Sequence, residues 1–77
     1  MSADRLAEIQ SRLDAAVPGP WTADVKIGPW WFIRGPERIE CAHAMEYAGH
    51  DNRPLIEHAR ADIEWLIARV RELEANA

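Results

Sequence analysis

Between Asn52 and Leu73 the chain reads NRPLIEHARADIEWLIARVREL, with Ile56, Ala59, Ile63, Leu66, Val70 and Leu73 recurring at alternating steps of three and four. That period places all six on one stripe of an α-helix. Asn52 or Asp51 can cap such a helix, and Pro54 falls in its first turn, where the missing amide had no partner anyway. A helix over about 53–75 is therefore predicted, about 33 Å long. In a chain of 77 residues everything else must be arranged to cover its apolar side.

A second, shorter helix over about 3–16 follows from Leu6, Ile9, Leu13 and Ala16 at the same spacing. Ser2 is placed to cap it, and Asp4 faces the positive end of its dipole. Pro18-Gly19-Pro20 ends it, and Trp21 is read as the plug where the chain turns from helix into sheet. From Thr22 to His43 the period falls to two, and Gly28-Pro29 and Gly35-Pro36 cut the run into three strands within 22–43. In the first, Ala23, Val25 and Ile27 read as the buried face; in the third, Ile39, Cys41 and His43 do. The middle piece, Trp30-Trp31-Phe32-Ile33, does not alternate and is apolar on both sides. Met45 to Asp51 is read as a connection. The expected fold is an α+β domain of order α-β-β-β-α spanning 1–77, two helices on one face of a short antiparallel three-stranded meander.

Composition narrows the function. One cysteine, Cys41, cannot form an intramolecular disulfide, which fits a reducing, cytoplasmic setting. No apolar run reaches the ~18 residues of a membrane span, and MSADRLAEIQ lacks the basic and apolar regions of a signal peptide. A net charge of −4 with acidic and basic residues intermixed gives no basic stripe for phosphate contacts, so nucleic acid is not the expected partner. The reading that would bring nucleic acid in is a dimer using Lys26, Arg34 and Arg38 beside the tryptophans as a stacking platform, against which Asp24, Glu37 and Glu40 count.

Residues that bear chemistry are few. Cys41, His43, His50 and His58 are zinc-binding types at spacings that match no zinc site, so no metal or cofactor is expected. A Cys41-His43 nucleophile pair would have nothing to orient the imidazole, and capping accounts for Asp51, Glu57 and His58. No phosphate loop, dinucleotide fingerprint or zinc-protease motif is present, and no catalytic residue is assigned. A core-facing His43 would have to be hydrogen-bonded and neutral, so that acid would destabilise the fold. Glu57/Arg60, Arg69/Glu72 and Arg71/Glu74 are spaced as exposed ion pairs.

The aromatic pair is the sharpest feature. With both helices on one face of a sheet, one of Trp30 and Trp31 is covered and the other faces water, with Phe32 or Ile33 beside it. Contiguous exposed apolar area of that kind marks an interface, either with a second copy in a homodimer or with a different protein. Trp65 lies about 100° off the stripe centre of its helix and poses the same choice.

Two segments carry a resemblance. The first half reads Arg5-Leu6, Ile9, Arg12-Leu13, Ala15-Ala16 and Pro18-Gly19-Pro20-Trp21; the second reads Ile56-Glu57-His58-Ala59-Arg60-Ala61-Asp62-Ile63, then Leu66-Ile67. Together they resemble short hypothetical proteins of actinobacteria and their phages, which open with R-L-x-x-I-x-x-R-L and A-x-P-G-P-W and close with I-x-H-A-R-x-D-I-x-x-L-I. The match covers roughly the outer half of the chain. Where those proteins usually carry D-A-x-F-I, this one has Arg53-Pro54-Leu55-Ile56, and the Trp30-Trp31-Phe32 segment is particular to it. The resemblance implies a small accessory protein, often phage-encoded, with no catalytic residues. The expected function is non-enzymatic: binding a host or phage protein of unspecified identity through Trp30, Trp31, Phe32 and Ile33, with Trp65 as a further contact.

Overall fold

The computed structural model describes residues 3–76. Helix α1 spans Ala3–Ala15 and helix α2 spans Arg53–Ala75. Between them lie four strands, β1 (Thr22–Ile27), β2 (Trp30–Arg34), β3 (Glu40–Tyr47) and β4 (His50–Asp51), in the order β1-β2-β3-β4 of one antiparallel sheet. The class is α+β, as the two periods require. The cap assigned to Ser2 lies outside the described residues.

The turns explain the strand count. Gly28 has φ +59 and precedes Pro29, the sign pattern of a type II′ hairpin turn joining Ile27 to its partner Trp30. Beyond His43, where three strands were expected to end, β3 continues and doubles back through Ala48 (φ +52) and Gly49 (φ +79) into β4. The expected three-stranded meander is thus corrected to four strands. Met45–Asp51 is a two-residue hairpin rather than a connection, because two successive residues of positive φ match the right-handed twist of the flanking strands.

Two bulges reassign the faces. Ala23 pairs with Ile33 but Val25 with Phe32, leaving Asp24 extra; Ala42 pairs with Ile33 but Glu40 with Arg34, leaving Cys41 extra. Each extra residue interrupts the alternation. Ile33, fully buried, and Ala44 therefore share the helix-facing side, whereas Ile27 is 65% exposed on the other and Ile39, before β3 begins, is exposed. The expected inward sets Ala23/Val25/Ile27 and Ile39/Cys41/His43 do not hold.

α2 lies across one face of the sheet and α1 lies chiefly along α2 rather than on the strands. The helices run antiparallel: Leu13 neighbours Arg60, and Leu6 reaches Val70. Leu6, Leu13 and Ile67 form the buried cluster between them, flanked by Ile9, Ile63 and Val70. Of the six stripe residues, Leu66 and Leu73 remain exposed, since α1 settles to one side of the stripe and buries Ile67 instead.

Arg60 ties this arrangement together. Its Nη1 donates to the Leu13 carbonyl at 2.7 Å and the Val17 carbonyl at 3.2 Å, acceptors just inside and just beyond the end of α1 that also take the Ala16 amide and the Trp21 indole N–H. Its Nε lies 3.0 Å from Glu64 Oε1, and its side chain packs on Gly19. Glu57, expected to pair with Arg60, turns to the sheet and accepts the Ala23 amide at 2.7 Å. The Arg69–Glu72 pair forms at 3.0 Å. Trp21 is half-buried, its indole N–H donating to the Val17 carbonyl at 2.8 Å, which closes the turn from helix to sheet as expected. Asp51, not Asn52, takes the Arg53 amide at the start of α2.

Candidate functional site

Strand pairing aligns Ile27, Trp30 and Met45 in one row across the sheet and Val25, Phe32 and His43 in the next. Partners directly opposite in an antiparallel ladder point to the same side. This side faces away from α2, since Ile33 and Ala44 occupy the covered one. Trp30 is 40% exposed here, Ile27 more so, and Tyr47 extends the same side of β3. The Trp30 indole meets the His43 ring edge-on, with centroids 5.2 Å apart and planes at 73°; Phe32 approaches the same ring at 6.0 Å. Such edge-to-face geometry fixes the ring orientation. His43 Nδ1 lies 3.2 Å from Glu40 Oε1, both groups exposed. His43 is therefore an exposed ring among aromatics, not the core histidine expected, and the acid sensitivity tied to its burial has no basis.

Trp31 belongs to the opposite side. Its indole N–H donates to Glu46 Oε1 at 2.8 Å, Lys26 Nζ stands 5.5 Å from its ring centroid and the Arg53 guanidinium 4.8 Å. Two cations at an indole and a carboxylate at its N–H form a closed set of attractions. Glu46 is held below its ordinary pKa, first by the hydrogen bond from Trp31 and then by Lys26, 3.4 Å away, and Arg53. That cluster anchors the start of α2 to the sheet. It was missed in sequence, where Glu46 lay in a supposed connection.

The structure thus divides the expected interaction residues. Trp30 and Phe32 stand together on the open side. Trp31 and Ile33 lie under α2, and Ile33 can meet no partner while that helix is docked. Trp65 is exposed on α2, beyond the covered side of the sheet, and does not join Trp30. Of the basic residues named for nucleic-acid stacking, Lys26 is engaged with Glu46 on the covered side and Arg38 sits in the turn before β3. Cys41 donates its thiol to the Ile33 carbonyl at 3.3 Å, and burial raises its pKa, which disfavours the thiolate. Among the described residues no three of His, Cys, Asp and Glu converge to hold a metal ion, and no helix is long and apolar enough to cross a membrane.

Gly35 has a separate role. A Cβ there would stand 2.5 Å from Val17 Cγ1 and 2.9 Å from the Pro18 carbonyl, so the Pro18-Gly19-Pro20 segment packs directly on its backbone. The two segments that carry the resemblance also meet, since Arg60 of the second grips the carbonyls and Gly19 of the first. Compared with known protein families, with curated proteins and with solved structures, the chain matches none.

Proposed function

We propose that this chain is a small non-enzymatic interaction protein, of phage or prophage origin, that docks on a host or phage protein through the open side of its sheet. The observation that carries this reading is the exposed group Ile27, Trp30 and Tyr47, with half-buried Phe32 beside Trp30, left uncovered while α2 occupies the other side. A group of exposed aromatic and aliphatic side chains on a hydrogen-bonded sheet is a preorganised contact surface, and tryptophan and tyrosine are the residues that dominate such contacts. Its phage or prophage origin rests on the resemblance of the chain's two ends.

Capture from a bacterial lysate tests the proposal. Trp30→Ala, whose circular dichroism matches that of the parent, is expected to lose the partner, with a cost of about 2 kcal/mol or more in affinity. A folded Trp30→Ala protein that retains every partner would overturn it.

A further inference from the structure

α2 carries an unbroken three-four seam, Ala59, Ile63, Leu66, Val70 and Leu73, the period of a helix packed along another helix. α1 fills only one flank of it. Leu66 and Leu73 each remain 54% exposed, and Leu55, in line with them around the helix, 73%. Between the two helices on that flank runs a groove of about 120 Å³ lined by Leu6, Ile9, Ile63, Leu66, Ile67 and Val70. It continues past Ile9 and Ile63 into a hollow of about 260 Å³ that reaches Ala59 and Trp21. The other flank is polar, with Gln10, Asp14, Glu64 and Arg71.

We propose that the apolar flank is the seam of a homodimer. In it, α2 of a second copy lies antiparallel across a two-fold axis beside Leu66, so that two helix pairs make a four-helix layer. Two observations select this occupant. Charge gives the direction. Asp62 and Arg69 lie on the outer edge of the seam on either side of Leu66, and a two-fold axis at Trp65–Leu66 brings Asp62 of each copy level with Arg69 of the other. Among the described residues Asp62 has no ion-pair partner in its own chain, and Arg69, which meets Glu72 at 3.0 Å, would be shared between the two carboxylates; a parallel pairing would set Asp62 against Asp62. Shape agrees as well, because the same axis brings Leu73 of one copy within a residue of the level of the small Ala59 of the other.

Light scattering of the purified chain over a wide concentration range is expected to show twice the monomer mass, dissociating on dilution. Leu66→Glu puts a charge at the axis and should raise the dimer Kd by at least about tenfold with helicity unchanged, since Leu66 is not part of the buried core. Asp62→Arg should weaken the dimer, and Asp62→Arg combined with Arg69→Asp should restore it. A monomer at every concentration overturns the proposal, as does a dimer indifferent to Leu66→Glu or one lost through Trp30→Ala, which would place the seam on the sheet. Trp30→Ala is expected to leave the dimer intact, so failure here and failure of the sheet-face docking are separable.

Discussion

Removing Arg60 tests what joins the two helices in so small a fold. Two hydrogen bonds from a charged guanidinium, at 2.7 and 3.2 Å, satisfy carbonyls at and beyond the end of α1. Bonds to a charged group are worth about 1.5–3 kcal/mol each when lost. Each carbonyl keeps a second donor, the Ala16 amide for Leu13 and the Trp21 indole for Val17, so neither is left unsatisfied and Arg60→Met is expected to cost about 2 kcal/mol. A chain of this size has only about 3–5 kcal/mol to lose. Urea unfolding followed by tryptophan emission measures the loss, with Trp21 reporting on the same turn. Arg60→Lys retains the charge but reaches fewer acceptors and should recover about half. Arg71→Ala, an exposed arginine on the same helix, should stay within about 0.5 kcal/mol of the parent. If Arg60→Met unfolds at the same urea concentration as Arg71→Ala, the guanidinium is not what joins α1 to α2, and the account of the fold given above is wrong.

Other expectations are as direct. Glu46 has a folded pKa below its ordinary value, so its contribution is present above the unfolded pKa and fades as pH falls through the folded one; Glu46→Gln should therefore differ from the parent in urea midpoint near neutrality and converge with it in acid. Ala48 holds φ +52 ahead of Gly49, and Ala48→Asn should stabilise by about 1 kcal/mol by supplying the residue that favours this turn, read as a higher melting temperature. Gly35→Ala must displace Val17 or the Pro18 carbonyl and should lower the melting temperature, whereas a neutral result would mean the Pro18 loop is free to move. Cys41 should react with iodoacetamide more slowly at neutral pH in the folded chain than in urea, because burial raises its pKa and the thiolate is the reacting form.

The helices were legible because each rests on a local period that survives packing, and α2 begins and ends within a residue of where its stripe and Pro54 place it. The sheet was legible only as a set of strands. Asp24 and Cys41 look like ordinary members of an alternating run, yet each is the extra residue of a bulge, and one unpaired residue is enough to exchange the two faces. Ala48 hid β4 for a related reason: alanine seldom takes positive φ, so Ala48-Gly49 lacks the Asn-Gly signature of its turn. Of the aromatic pair, sequence established that one indole had to be uncovered. Register across three strands, a non-local property, decided that it was Trp30. Arg60 was misread because its spacing from Glu57 suggested a surface pair, and the only hint of its role was its place beside Ala59 in a segment that accompanies the Pro18-Gly19-Pro20-Trp21 element.

The two proposed contacts have a joint consequence. The sheet lies between its open side and α2, so docking at Trp30 and pairing at Leu66 do not compete for the same residues. A dimer through α2 therefore carries two open sheet faces. If the partner itself presents repeated sites, as a multimeric assembly does, engagement of one face turns the second into an intramolecular event, and avidity can exceed the single-site affinity by about 10²–10⁴-fold with no added contact. Leu66→Glu would then weaken binding to such an assembly while leaving binding to its isolated subunit unchanged, and Trp30→Ala would weaken both. Equal losses toward assembly and subunit on Leu66→Glu would instead mean that the seam shapes the docking face itself.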